Sequence, residues 1–158
     1  MKAKYLNPFI SAATKVLRQF IPDIEIERGE LRATHSTLET LGAAVYIGIS
    51  GELEGRVIYD MDRNTAVDLA SAMNGEDLPG MNELVRSTLQ ELGNVISGNA
   101  TTNLRQTAES KTIDITPPSM IMGSDTEISD SVKQTMVQVP LNTNYGTIVI
   151  NLAVREKK

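Results

Sequence analysis

A segment of helical periodicity followed by three segments of strand character appears twice along this 158-residue chain. That repeated order constrains the fold more than any other feature. A helix buries one stripe and a strand one face, so the elements must cover one another in layers. The order reads α-βββ-αα-βββ. It predicts an α/β (α+β) domain with a largely antiparallel sheet of about six strands, helices packed on it, and two pseudo-symmetric halves. The halves share no obvious sequence repeat, so their likeness is one of pattern. No linker is long enough to divide the chain, and residues 1–158 are read as one domain.

Between about Tyr5 and Phe20, residues Phe9, Ala13, Val16, Leu17 and Phe20 recur at helical spacing, and Ile21-Pro22 ends the run. Asn7-Pro8 suits a cap with proline at the first helical position, although an earlier start fits as well. Ile24 and Ile26 alternate with acids in a strand that reaches Ala33 and is interrupted by Gly29. Gly42 to Ser50 is β-branched, aromatic and uncharged, as a central strand requires. Gly51-Glu52-Leu53-Glu54-Gly55 then turns the chain into Arg56 to Tyr59 as a hairpin. Asp62 is placed to cap a helix through about Met73, and Asn74-Gly75 to end it. Beyond Pro79-Gly80 a long helix spans about Asn82 to Arg105. Thr112 to Thr116, closed by Pro117-Pro118, then Lys133 to Leu141 and Thr147 to Arg155, read as strands, the last two joined through Asn142 to Gly146.

Composition removes several classes of function. Two Phe, four Tyr and no Trp force an aliphatic core, with seven Met as filler. Fifteen basic against twenty acidic residues give a net charge of −5, which lacks the positive footprint that nucleic acid or an anionic membrane demands. Neither is an expected partner. The absence of cysteine removes disulfides, thiol nucleophiles, cysteine zinc sites and iron–sulfur clusters. One histidine, His35, cannot supply a multi-histidine metal site and is expected at the surface or a strand edge. No apolar run follows Met1 as a secretory signal would, and Leu41 to Gly51, the longest uncharged apolar stretch, falls short of the ~20 residues of a membrane helix. The expectation is a soluble cytoplasmic protein. No Gly-rich phosphate loop and no nucleophile–base–acid set is visible, so nothing supports a small-molecule enzyme.

On a helical wheel of the long helix, Leu84, Val85, Thr88, Leu92, Val95 and Ile96 gather on one face, which is expected to pack on the sheet. Ser87, Glu91, Asn94, Gly98 and Thr101 follow one another at alternating steps of four and three and form a polar ridge on another side. Gly93 and Gly98 interrupt an otherwise good helix at ~1 kcal/mol each relative to alanine. A missing side chain at Gly98 would let a partner approach Asn94 closely; relief of crowding against the sheet explains such glycines equally well. Spacing alone stops at a surface helix able to dock something.

The pattern Ser87-x-x-x-Glu91-x-x-Asn94, followed after 22 intervening residues by Pro117, resembles the signature of the CheC/CheX/FliY phosphatases of bacterial chemotaxis. The flanks Glu91 to Ala100, Ile113 to Pro118 and Tyr46 to Asp60 resemble the same family, and the likeness covers nearly the whole chain. Within it, CheC repeats Glu-x-x-Asn in both halves and FliY adds a switch-binding domain. The first helix here, Asn7 to Leu17, has no such pair and the chain no room for another domain, so one site per chain is expected, as in the CheX branch.

The resemblance implies a substrate, the phospho-aspartate of a CheY-type receiver, and a homodimer. It implies no cofactor bound by this chain, with Mg²⁺ expected on the receiver. Asn94 is then the candidate that positions the attacking water, since a carboxamide orients water without titrating. Glu91 is the candidate contact to the receiver's active-site lysine. A general-base role for it is the weaker reading, because a carboxylate of ordinary acidity is a poor base. Ser87, Gly98 and Thr101 would extend the partner-binding ridge, and Pro117 would shape the loop beside it. A non-enzymatic module that binds the receiver through the same ridge is the alternative.

Overall fold

The computed structural model describes residues 3–34, 37–107, 112–123, 126–129 and 134–157. His35 and the expected strand start at Lys133 lie outside them. Helix α1 (Ala3–Phe20) starts a turn earlier than Asn7-Pro8 suggests, so Pro8 sits inside it. Burial of Tyr5 and Leu6 holds that extra turn, and the Tyr5 hydroxyl donates to the Glu156 carboxylate at the far end of the chain. The strands are β1 (Ile26–Arg28), β2 (Arg32–Thr34), β3 (Leu38–Glu39), β4 (Ala43–Gly51) and β5 (Leu53–Met61). Helices α2 (Arg63–Asn74) and α3 (Glu83–Thr107) follow, then β6 (Ile113–Ile115), β7 (Ser119–Met122), β8 (Glu127–Ile128), β9 (Met136–Thr143) and β10 (Gly146–Glu156). The caps of α2 form as expected: Asp62 accepts from the Thr65 amide, and Gly75 closes the helix at φ 67°. The expected five-residue turn after β4 is shorter, because both of its glycines are drawn into strands.

The main sheet runs β1-β9-β10-β5-β4-β6, with β2 also on β9 and β7 also on β4, all antiparallel. Its outer lanes are interrupted strands. Gly29 and its neighbours break β1 from β2, and Thr116-Pro117-Pro118 break β6 from β7, leaving six lanes. The pairing is symmetric: each half contributes a central hairpin, and each outer lane pairs with the hairpin of the other half. Five strands rather than three follow each half's main helix. In the first half the expected strand to Ala33 is split into β1 and β2, and the other extra pieces, β3, β7 and β8, are too short to announce themselves by pattern.

Both faces of the sheet are covered. On one, the helices bury Phe9, Val16, Leu89 and Ile96 against Val45, Ile47, Val57 and Ile150. On the other, the β3–β8 ribbon covers Ala44, Ile58, Met136 and Ala153 with Leu38 and Ile128. There Asp60 is buried and accepts from the Thr40 hydroxyl at 2.8 Å and the Leu41 amide at 3.0 Å, which ties β3 to β5. Burial pushes its carboxyl pKa up, and these hydrogen bonds pull it back.

Helix α3 is rotated from the wheel expectation. Val85, Leu89, Leu92, Gly93, Ile96, Ser97, Ala100, Thr101 and Leu104 are buried, whereas Leu84 is 41% exposed. The reason is that a helix comes closest to a sheet over its smallest residues. A Cβ on Gly93 would lie 2.8 Å from Val45 Cγ1 and 3.4 Å from Tyr59 Cδ2. One turn on, Ser97 Oγ and the Tyr59 hydroxyl share a buried 2.8 Å hydrogen bond. Gly98 meets nothing within 4 Å.

The two glycines of α3 should therefore respond oppositely to alanine. Gly98→Ala gains helix propensity of ~1 kcal/mol and should raise the melting temperature by about 2–4 °C. Gly93→Ala must displace the stiff, buried Val45, an overpacking cost of about 1–3 kcal/mol that outweighs the propensity gain. Its melting temperature should fall, and that of Gly93→Val further. Thermal denaturation of the three variants checks this, and a Gly93→Ala as stabilised as Gly98→Ala would show that α3 is not seated there.

Candidate functional site

The register of the ridge is set at its start. Asn82 accepts from the Val85 amide at 2.9 Å, capping α3 so that Leu84, Ser87, Glu91, Asn94 and Gly98 fall on one stripe. Ser87, Glu91 and Asn94 are exposed and Gly98 is half-buried. One helical turn separates Glu91 from Asn94, about 5–6 Å between Cβ atoms. Neither side chain makes a hydrogen bond or ion pair with the described residues. A carboxylate and a carboxamide therefore stand side by side, solvated and uncommitted.

Two members of the expected ridge behave otherwise. The Ser87 hydroxyl donates to its own helix, to the Glu83 carbonyl at 3.0 Å and the Leu84 carbonyl at 3.2 Å. Thr101 is not on the exposed ridge at all: it is 1% exposed, and its hydroxyl donates to the Ser97 and Gly98 carbonyls. It sits four residues beyond the buried Ser97, on the flank that turns towards the sheet. The exposed stripe ends at Gly98, and Leu84, expected in the core, extends it at the other end.

Pro117 is exposed in the break between β6 and β7. That break is held against α3 by a residue that pattern reading missed. Gln90, the residue before Glu91, donates from Nε2 to the Pro118 carbonyl at 3.1 Å. The separated parts of the motif are thus brought together. Nothing in the local sequence marks Gln90 beyond its place four residues before Asn94.

The first helix offers no second pair. The buried positions Tyr5, Phe9, Ala12, Ala13, Val16 and Leu17 of α1 match Val85, Leu89, Leu92, Gly93, Ile96 and Ser97 of α3 at constant spacing. In that register Ser11 and Thr14 stand where α3 has Glu91 and Asn94. The Thr14 hydroxyl donates to the Ile10 carbonyl at 3.0 Å.

A convex polar ridge suits a macromolecular substrate, because small-molecule sites are concave. The groove of the far face, lined by Arg32, Asp60 and Gln138, contains no ridge residue. Among the described residues no group of three or more His, Cys, Asp or Glu is arranged to hold a metal ion, and no helix is long and apolar enough to cross a membrane.

A family model for the chemotaxis phosphatase CheX matches residues 43–142. The CheY-P phosphatase CheX of Thermotoga maritima is 34% identical over 130 residues, 81% of this chain and 81% of that protein. A chain of the CheX–CheY–BeF3–Mg²⁺ complex from Borrelia burgdorferi superposes with a TM-score of 0.83 at 35% identity, covering 96% of this chain and 98% of that one. A CheC-like superfamily protein from Shewanella sp. PV-4 superposes with a TM-score of 0.86 over 98% of this chain and 99% of its own, at 21% identity, a likeness of fold alone. Matched by the family model over most of its length and by a curated relative over four-fifths of it, the chain belongs to the CheX family of chemotaxis phosphatases.

Proposed function

We propose that this protein hydrolyses the phospho-aspartate of a CheY-type response regulator, with Asn94 positioning the attacking water and Glu91 docking the receiver. The observation that carries the reading is the Glu91–Asn94 pair itself, exposed one turn apart and engaged by no described residue. The Thermotoga relative named a CheY-P phosphatase and the Borrelia complex with CheY support the choice of substrate.

Hydrolysis forms a bond from water oxygen to phosphorus while the bond from phosphorus to the aspartyl oxygen breaks, and the carboxylate leaves in line. The Mg²⁺ and charged groups that stabilise the transferring phosphoryl belong to the receiver, so this chain need only place a water. The proton the water loses goes to the phosphate product or to solvent, while the Asn94 carboxamide oxygen accepts a hydrogen bond from the water and so turns a water lone pair towards phosphorus. Its amide protons can at the same time point to a phosphoryl oxygen. The Glu91 carboxylate pairs with the receiver's lysine and fixes the helix over the phosphoryl group. Gly98, with open space where a side chain would stand, lets the receiver backbone come close.

The same reading includes a homodimer. The β1–β2 lane at one edge of the sheet offers a surface for pairing with a second copy. Light scattering at micromolar concentration should give twice the chain mass, and a monomer there would overturn this part.

Turnover separates catalysis from mere binding. Catalytic amounts should accelerate phosphate release from phosphorylated receiver; stoichiometric protection, or no change, would favour a non-enzymatic receiver-binding module. Asn94→Ala should lower kcat at least ~100-fold with little change in KM. Glu91→Ala should raise KM about tenfold as well as lower kcat, and Glu91→Lys should be worse because like charges would meet. Both positions are exposed, so stability should shift by less than ~0.5–1 kcal/mol. Retention of turnover within a few-fold by folded Asn94→Ala would place the water-positioning group elsewhere. Gly98→Ala should weaken receiver binding in the variant that melts higher.

A further inference from the structure

The two halves carry the same defect in their outer lanes, and only one half has specialised it. Opposite β4, Ile115 faces Ile49 and Thr116 bonds to Gly48, yet Ser119 faces Tyr46. Pro117 and Pro118 therefore stand opposite Ile47 alone. This is a β-bulge, two residues against one. Opposite β9, the Gly29 amide donates to the Pro140 carbonyl while Arg32 faces Gln138, so Glu30 and Leu31 stand opposite Val139 alone. The bulges are equivalent by topology, but their chemistry differs.

In the half that bears Glu91 and Asn94, the bulge is made of two prolines, whose rings fix φ and remove both amide donors. It is pinned at its base in both directions. The Thr116 amide donates to the Gly48 carbonyl at 3.0 Å, and the Gly48 amide donates to Thr116 Oγ1 at 2.8 Å. Its far side is held by Gln90 at the Pro118 carbonyl. In the other half, the position matching Gln90 is Ile10, which has no donor to offer, and the bulge is Glu30-Leu31. The paired site residues, the donor and the double proline all occur in one half and are all missing from the other. A purely structural role for the latch would be needed equally in both.

We infer that Gln90 is a positioning residue: it holds the Pro117–Pro118 bulge beside α3, so that Pro117 forms a rigid second edge of the surface that receives the phosphorylated receiver. Pro117 is exposed, and Gln90 lies one residue before Glu91 and four before Asn94. A partner seated on the ridge meets this edge on the Asn94 side. The edge acts on docking and leaves the water to Asn94. The inference rests on the receiver-phosphatase reading above.

A double-mutant cycle tests it. Gln90→Met keeps length and helix propensity but removes the donor; Gln90→Glu keeps the shape and turns an acceptor towards the Pro118 carbonyl. With receiver phosphorylated by a small phosphodonor in the presence of Mg²⁺, each should raise KM about fivefold to tenfold with kcat within about twofold of wild type. Pro117→Ala should do the same. Gln90→Met combined with Pro117→Ala should be no worse than about twofold beyond the stronger single variant, because the latch has nothing left to place. A Gln90→Met protein, folded by circular dichroism, with KM within twofold of wild type overturns the inference, and so do penalties that multiply in the double variant. If wild type binds receiver without turnover, the phosphatase reading fails. The same cycle, read as dissociation constants for beryllofluoride-activated receiver, then supports or overturns the role of Gln90 by itself. A wild type that neither binds nor turns over ends both readings.

Discussion

The seat of α3 on the sheet governs everything the protein presents to a partner. At Gly93 the helix backbone comes so close to Val45 and Tyr59 that a methyl group would not fit without displacement. The Tyr59–Ser97 hydrogen bond, formed where no water competes, fixes the helix along its axis one turn later. Desolvation pushes the Tyr59 hydroxyl pKa upward, so it keeps its proton and the bond persists across the working pH range. Together these contacts determine the rotation of α3. Turned by a single position, the helix would bury Asn94 or aim Glu91 at its neighbour α2. The cost of glycine to helix propensity is therefore offset by the close seating that only glycine permits.

Around that seat the molecule divides its work between two similar halves. The shared features, a helix over a sheet and an interrupted outer lane completed by the other half's hairpin, make one continuous sheet with a common core. The differences concentrate where α3 and the double-proline bulge meet. α1 keeps the burial pattern of α3 but places Ser11 and Thr14 at the exposed positions, and Lys15 and Arg18 beside them. The first half is thus free to be optimised for stability, with the Tyr5–Glu156 contact joining chain start to chain end. The second carries Glu91 and Asn94 exposed, without a hydrogen bond or ion pair to the described residues.

Local pattern revealed what local chemistry controls. Asp62 as a cap, Gly75 as a left-handed stop, the strand around Val45 and the alternating ridge through Glu91 and Asn94 depend on residues within a few positions of one another. What local pattern left open or misjudged was decided by contacts across the fold. Buried Tyr5 and Leu6 carry α1 past Pro8 towards the chain start, against the signal of the proline. Leu84 looks like core on a wheel that weights large apolar side chains, but the contact centres on Gly93, Ser97 and Ala100. Thr101 looks polar and therefore exposed, yet a threonine in a helix can satisfy its hydroxyl on its own carbonyls and be buried. Gln90 acquires its meaning only when a carbonyl 28 residues away is folded against it.

If Asn94 positions water as proposed, a convex site faces a particular difficulty. An enzyme with a pocket excludes water and orients its substrate by enclosure, but a ridge can do neither alone. The carboxamide of Asn94 has rotatable torsions, and a water held by one amide in open solvent has no preferred direction. On the proposed reading orientation must come from the complex: the receiver would supply the phosphoryl group and its metal, and this chain a surface that admits a single pose. Glu91 docking the receiver alone would be a pivot, since one ion pair leaves rotation about itself unconstrained. A second, stiff contact on the Asn94 side would remove that freedom. Two prolines in a bulge, anchored through Thr116 to the sheet and through Gln90 to the helix, are stiff in the way such a contact requires. The side chain proposed to handle water could then remain chemically mild, because the geometry would be imposed by the edges around it.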